Sequence, residues 1–401
     1  MVYVLNYIDL FAGCGGLSLG LHKAGLQGIF AVEKNEDAFA TLKYNLIEQR
    51  DHFSWPEWLE MKNWDINELI DMHRKELSEL SGNVDLVVGG PPCQGFSMAG
   101  KRDRNDLRNG LVNSYIEFIK LVQPKNLFFE NVHGFTVAFS GKDNKKGIPF
   151  SVILIQELKS LGYHVVSKLI NMSEFGVPQR RKRFILFATR NKGSLDFFSS
   201  LEKVKYNYLS SHGITCPVTV SQAIGDLEKK NGVVDSSDSK GFQNGKYSRK
   251  RTVYQKLMRK DTRRGEIPDS HRFAKHKPET IKLFNDLMSV DKKSFRITPS
   301  MGIVKGLKKR GVTPLKRKSV CPTITSIPDD FIHYCEPRIM TVREHARIQS
   351  FPDDFQFKGR YTTGGARRKK DVPRYTQVAN AVPPLFAEQV GLVISKNDSH
   401  E

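Results

Sequence analysis

The stretch Gly89-Gly90-Pro91-Pro92-Cys93-Gln94-Gly95-Phe96-Ser97 constrains this chain more than any other. It follows Val84-Asp85-Leu86-Val87-Val88, an apolar, β-branched run that predicts a short buried strand. Two glycines and two prolines then halt the strand, because proline fixes φ and donates no backbone hydrogen bond. Cys93 is therefore expected on a rigid turn at the carboxyl edge of a sheet, where open α/β folds bind ligands. A lone cysteine is most often a small buried hydrophobe. The turn chemistry around Cys93 favours instead a thiol held in one place.

The amino-terminal end adds a second constraint. Residues 3–10 are apolar and β-prone and run into Asp9-Leu10-Phe11-Ala12-Gly13-Cys14-Gly15-Gly16-Leu17-Ser18, which reads as strand, glycine-rich turn and helix start. Such a turn lets backbone approach a ligand closely, and the helix N-terminus favours a carboxylate or phosphate. Many α/β domains carry one, so the turn alone is weak. A second strand, residues 28–32, closes on Glu33. An acidic residue there is placed to bond the ribose hydroxyls of a nucleoside cofactor; a solvated strand end is the alternative.

A third strand, residues 126–129, ends in Glu130-Asn131-Val132. A carboxylate directly after Leu-Phe-Phe is partly desolvated, which raises its pKa and suits it to proton donation near neutrality. A capping or ion-paired Glu is the plainer reading. Gln179-Arg180-Arg181-Lys182-Arg183 precedes a strand at 184–188, so alternation would set Gln179, Arg181 and Arg183 on one face. A solvated basic face or a phosphate contact would also explain that run.

Gly-Pro-Pro-Cys, Glu-Asn-Val and Gln-x-Arg-x-Arg in this order resemble the C5-cytosine DNA methyltransferases of bacterial restriction-modification type. The resemblance continues in the segment that begins at Arg338 and ends in Gln349-Ser350-Phe351-Pro352, and in Gln377-Val378-Ala379-Asn380-Ala381-Val382-Pro383-Pro384. It covers about residues 5–190 and 338–392. Two departures are small: Ser350 stands where Gly is commoner, and 49–62 reads as a surface insertion. The resemblance implies a Rossmann-like S-adenosylmethionine-dependent methyltransferase domain, α/β with a mostly parallel sheet, plus a smaller target-recognition domain. It assigns Cys93 as the nucleophile that attacks cytosine C6 as a thiolate. Glu130 would contact N3 and the exocyclic amine, Arg181 would bond the O2 side of the ring, and Gln179 and Arg183 would complete the catalytic set. For S-adenosylmethionine it assigns Phe11, Gly13 and Gly15 to the methionine and adenine pocket and Glu33 to the ribose. Asp65 would accept from the adenine amine, Leu111 would pack on the adenine, and Asn380 would touch the methionine part. Asp65 also reads simply as a helix cap.

Residues 1–190 alternate strands with helices, expected at 36–48, 66–80, 111–122 and 151–161, so the sheet should be covered on both faces. A helix at 379–394 would return to that domain. The expected division is a catalytic domain of residues 1–190 with 338–401, and a basic recognition domain of residues 191–337. Residues 101–109, polar and glycine-flanked, read as a loop able to close over a base or as an ordinary surface loop. Residues 228–251 read as a long loop.

The formal charge of +20 favours a polyanionic partner. Residues 241–320 hold 23 Lys or Arg against six Asp or Glu, +17 of that excess. Interleaved aromatics (Phe242, Tyr247, Tyr254, Phe273, Phe295) predict that this segment folds. The partner expected is double-stranded DNA, with a separately acting restriction endonuclease as a companion. A monomer is expected. The five cysteines, at 14, 93, 216, 321 and 335, lack metal-ligand spacing and are odd in number, so no metal and no disulfide framework is expected. A reducing, cytoplasmic setting follows, and no apolar run is expected to reach the roughly 18 residues a membrane span needs.

Three rivals differ by specific residues. An amino-group methyltransferase calls for an Asp-Pro-Pro-Tyr-like site, which Gly-Pro-Pro-Cys is not. A tRNA-cytosine methyltransferase shares the motifs but not the large basic segment before Arg338. A non-catalytic DNA-binding relative would lack Cys93 or Glu130.

Overall fold

The computed structural model describes residues 3–92, 110–138, 147–191, 196–290, 294–307, 311–363 and 371–397. Cys93, the loop 101–109 and Lys308, Lys309 and Arg310 lie outside the described residues. The chain forms two compact units: residues 1–171, 182–207 and 386–401 make the first, residues 172–181 and 208–385 the second.

The first unit follows the alternation of its sequence: β1 (Asn6–Leu10), α1 (Gly16–Lys23), β2 (Gln27–Val32), α2 (Glu36–Leu42), α3 (Ile66–Met72), α4 (Arg74–Glu79), β3 (Leu86–Gly89), α5 (Gly110–Val122), β4 (Asn126–Val132), α6 (Phe150–Ser160) and β5 (His164–Asn171). The two-residue β6 (Gln179–Arg180) belongs to the second unit; β7 (Lys182–Thr189) returns to the first, and α7 (Phe197–Ser211) follows. The sheet order is β2-β1-β3-β4-β7-β5. β7 is antiparallel to both its neighbours, and the pairs β1–β2, β1–β3 and β3–β4 are parallel. Strand order reverses at β1, so the crevice beyond its carboxyl end is the natural ligand site of such a sheet. β3 and β4 read as near-continuous apolar runs because both faces are covered: Leu86, Val87, Val88, Leu127, Phe128 and Phe129 are all fully buried.

The helices depart from expectation in instructive places. The helix expected at 36–48 starts with Asn35 accepting from the Ala38 N–H at 3.0 Å, but widens to a π-helix at Lys43–Glu48. The one expected at 66–80 breaks at His73, whose backbone is non-helical and whose ring packs on Trp58 and Trp64. Residues 49–62 are no surface insertion. His52, Phe53 and Leu59 are buried, and the backbone of Gly28 bonds both His52 and Ser54, so the segment extends the sheet beside β2. Its apolar residues fill the edge that an insertion would leave bare.

The second unit comprises α8 (Val220–Ile224), β8 (Val233–Asp235), β9 (Gln243–Gly245), α9 (Val253–Met258), α10 (Pro278–Met288), β10 (Thr313–Pro314), β11 (Cys321–Pro322), β12 (Phe331–Ile332), α11 (Val342–Ile348), α12 (Arg374–Asn380) and the start of α13 (Pro384–Asn397). The loop expected at 228–251 contains the β8–β9 hairpin. The basic segment folds around cation–aromatic stacking: the Arg272 guanidinium lies 4.3 Å from the Phe242 ring centre and 3.7 Å from that of Tyr361.

Residues 338–385 sit with the second unit rather than the first, and buried charge explains it. Arg347, fully buried, donates to Asp226 and Asp353; Arg343 donates to Asp269, and Arg338 to Glu344. Burial alone would raise the Glu344 carboxyl, but the Arg338 guanidinium holds it well below its usual range. Ser350 takes a left-handed φ of 64°, the conformation that would favour Gly, and its Oγ accepts from the Leu385 N–H at 3.1 Å. The helix expected at 379–394 is two helices, broken at residues 381–383. Together they make a stretch, Arg374–Lys396, that passes for a membrane span by length and composition only, and most of it is buried within the protein.

Candidate active site

Three features converge at the carboxyl edge of the first unit's sheet. After β1 the chain turns through left-handed backbone at Phe11 (φ 59°), Gly13 (φ 56°) and Gly15 (φ 88°), then enters α1. The Glu33 carboxylate, just past β2, accepts from the Gly13 N–H at 2.9 Å and the Asn35 N–H at 2.7 Å. Burial raises its pKa; the backbone N–H groups oppose the rise. No described atom lies within 4 Å of where a Gly13 Cβ would stand, so the turn is open there. An open left-handed turn backed by a carboxylate fits a nucleoside such as that of S-adenosylmethionine.

Asp65 is the cap of α3, accepting from the Asn67 N–H at 2.8 Å, and pairs with Lys34 at 2.8 Å. Burial would raise it, but Lys34 and the backbone N–H groups outweigh that and lower its pKa. Both sequence readings of Asp65 thus describe the same side chain. Leu111 is half-buried against the core.

The Gly89-Gly90 pair ends β3 in a space only glycine fits. A Cβ on Gly89 would meet the Leu10 carbonyl oxygen at 1.9 Å, and one on Gly90 the Glu130 carbonyl oxygen at 1.9 Å. Asn131, buried, donates from its side chain to the Pro91 carbonyl at 3.2 Å, a tether not foreseen from the sequence. The backbone leading to Cys93 is therefore clamped between the ends of β1 and β4.

Glu130 emerges from the same edge on β4. Its Oε1 lies 2.9 Å from Nε of Arg183 on β7, both side chains mostly buried. The desolvation expected of Glu130 is thus accompanied by a counter-charge.

Gln179 and Arg181 do not share Arg183's strand face, as alternation would have it. The chain leaves the first unit before β6 and returns at Lys182. Within the second unit β6 pairs with β11. There Gln179, fully buried, donates to Gln349 Oε1 at 2.5 Å and accepts from the Ile324 N–H at 3.0 Å. Arg181, also buried, donates to the Ala381 carbonyl at 3.2 Å, to which the Gln349 amide also donates. Asn380 is the exposed last residue of α12.

Among the described cysteines, burial pushes the thiols of Cys14 and Cys321 far up, and that of Cys335 to about 11. None of these three is a ready thiolate.

The sequence profile of the C-5 cytosine-specific DNA methylases matches residues 5–396. The chain belongs to this family. Its reaction is methyl transfer from S-adenosylmethionine to C5 of cytosine in DNA. The methylase is 31% identical over 408 residues to the Type II methyltransferase M1.HphI of Haemophilus parahaemolyticus, covering 99% of this chain and 88% of that protein. It is 32% identical over 403 residues to the Type II methyltransferase M.DdeI of Desulfomicrobium norvegicum, covering 98% and 88%. A solved structure described as a candidate DNA modification methyltransferase encoded within an E. coli prophage superposes with a TM-score of 0.64 at 24% identity. It covers 99% of the methylase and 100% of that chain, which supports the fold.

Proposed function

We propose that this methylase is the modification enzyme of a restriction-modification system, methylating one cytosine in a fixed duplex site through a covalent adduct with Cys93. The observation that carries the site reading is the Glu130–Arg183 pair at the sheet edge beside the clamped Gly89-Gly90 turn. The target carbon is unreachable inside the stack, so the cytosine is flipped out. The Cys93 thiolate bonds C6, and the ring becomes an enamine whose C5 is nucleophilic. Glu130 holds N3 and the exocyclic amine, and Arg181 holds the O2 side, so charge built on the ring is met by fixed partners. Arg183 positions Glu130, and Gln179, whose amide is engaged within its own unit, positions Arg181. S-adenosylmethionine supplies an electrophilic methyl group. Loss of the C5 proton to a base then expels Cys93.

Phe11, Gly13, Gly15, Glu33, Asp65, Leu111 and Asn380 serve the cofactor. The second unit reads the sequence. Its Arg259, Arg296 and Arg317 are held by Asp226, Asp330 and Glu228, whereas Lys260, Arg263, Arg264 and Lys305 are exposed and suited to phosphates. The enzyme acts as a cytoplasmic monomer, needs no metal, and is matched by a separate endonuclease. Bisulfite mapping of DNA from cells expressing the protein tests this reading. A single methylated sequence context is expected; unmethylated DNA with methylated tRNA would reject it.

A further inference from the structure

Beneath the cofactor turn lies a carboxyl group that the reaction above does not use. Asp9 stands on β1 between Ala31 of β2 and Val88 of β3, and only 1% of it is exposed. Its Oδ2 accepts from Ser18 Oγ at 2.5 Å, and its Oδ1 has no hydrogen-bond partner among the described residues. Asp9 precedes Phe11 by two residues, and Ser18 lies in the first turn of α1. Their bond therefore ties the two ends of the turn together from below. Glu33 ties the same turn through the Gly13 N–H.

We propose that Asp9 is a positioning residue for the cofactor turn, and that with Glu33 it makes the turn prefer the cationic methyl donor over the uncharged product S-adenosylhomocysteine. The inference rests on the assignment of that turn to S-adenosylmethionine. Donor and product differ by one positive charge, on sulfur. Two carboxylates around one turn repel each other when both are ionised, and a cation bound there relieves the repulsion. The thioether product brings no such charge.

The surroundings of Asp9 leave its charge open to this influence. Burial, opposed by the Ser18 hydrogen bond and aided by Glu33, raises its pKa to about 7. From β1 the facing titratable group is Tyr7, kept neutral by burial and by Asp9 itself. From α1 the facing group is the Ser18 hydroxyl, which stays protonated, and the partner on β3 is the apolar Val88. Cys14 faces Glu33 and is neutral through burial. The backbone N–H groups of Gly13, Lys34 and Asn35 act on Glu33. Since the ionised form of Asp9 holds the cation better, donor affinity rises with pH and binding releases a proton to solvent.

The test is calorimetric binding of S-adenosylmethionine and S-adenosylhomocysteine to the whole protein at pH 6 and pH 8. Donor affinity should be about fivefold higher at pH 8, as a one-unit fall of the Asp9 pKa on binding requires, and product affinity should change less than about twofold. Asp9→Asn, which keeps an acceptor for Ser18, should remove the pH dependence for the donor and lower the donor-to-product affinity ratio at pH 8. Equal pH dependence for both ligands, or an unaltered donor slope in Asp9→Asn, overturns the proposal. Should Asp9→Asn fail to fold, the wild-type protein decides. At pH 7, in two buffers of different ionisation enthalpy, the donor must release more protons than the product, and equal counts overturn it. Phe11→Ala separates the two readings. If it weakens both ligands, the turn is the cofactor site whatever Asp9 does; if it weakens neither, the site assignment itself fails.

Discussion

Glu130 and Arg183 face each other diagonally across an antiparallel strand pair, carboxylate oxygen to guanidinium Nε at 2.9 Å. In the register, Val132 lies opposite Arg183 and Glu130 opposite Ile185, so the pair spans one step of the ladder. This geometry makes two substitutions informative. Glu130→Gln keeps the shape and removes the charge; turnover should fall by roughly 10²-fold or more, the range acid-base groups supply, with DNA affinity little changed. Arg183→Leu should leave Glu130 in place without its counter-charge and lower turnover by about tenfold or more, with S-adenosylmethionine binding little changed. Steady-state rates check both, and wild-type turnover in Arg183→Leu would remove it from the site.

Replacing Cys93 by Ser should abolish methyl transfer while S-adenosylmethionine still binds, because a hydroxyl stays protonated near neutrality. Duplex DNA containing 5-fluorocytosine should trap a covalent complex with the wild-type protein alone. Appreciable turnover by Cys93→Ser would refute the adduct mechanism.

Gly15 combines a φ of 88° with no room for a side chain: a Cβ would stand 2.7 Å from Leu46 Cδ1. Gly15→Ala should weaken S-adenosylmethionine binding by about tenfold or more, as a left-handed alanine costs roughly 1–2 kcal/mol before any clash. Gly110→Ala, where no described atom lies within 4 Å of the added Cβ, is the control and should bind normally. Isothermal titration of both variants separates the turn's conformation from a general effect.

Arg347 anchors the second unit. Arg347→Met would leave Asp226 and Asp353 buried without its guanidinium, at a cost of about 3 kcal/mol or more, read as a lower urea midpoint. The same network sets acid sensitivity. The folded-state pKa of Asp353 lies below its usual 3.8 and that of Glu344 below its usual 4.5. Their contribution is complete above those usual values and is lost as pH falls below them. Unfolding midpoints should begin to fall below about pH 6.5, where burial keeps His271, His333 and His345 neutral in the folded state only, and drop more steeply below about pH 4. A profile flat to pH 3 would show that these groups do not hold the unit together.

Neutralising Lys308, Lys309 and Arg310 together should weaken binding to cognate and scrambled duplexes alike. For every phosphate no longer neutralised, the slope of log affinity against log salt should flatten by about 0.9. An unchanged slope would make this stretch a solvated face.

The sequence carried the parts of the fold that depend on chain-local rules. The β1 turn, the Gly89-Gly90 stop and the Asp65 cap each follow from short-range backbone chemistry. What escaped was set by distant partners. Residues 49–62 look polar enough for a surface loop, yet Gly28 bonds them into the sheet edge. The run from Gln179 to Arg183 reads as the approach to the strand at 184–188, with alternate residues on one face, yet β11, over 140 residues on, claims Gln179 and Arg180. Asp9 sits in an apolar strand with no local sign that its carboxyl is buried beside Ser18. Residues 338–385 match a motif of the catalytic part, but their arginines find acidic partners from 226 to 353, which composition cannot reveal.

The ten residues 172–181 leave the sheet between β5 and β7 and belong with a unit that otherwise begins at 208. No single cut of the chain therefore frees either unit whole. A specificity graft taken only from residues 208 to 337 would replace β11 and Ile324 while keeping the host's Gln179, which must then find its backbone partner in a foreign strand. Grafts that carry 172–181 along with the recognition segment should keep that pairing. The short excursion makes Arg181 and the second unit inseparable in any such exchange.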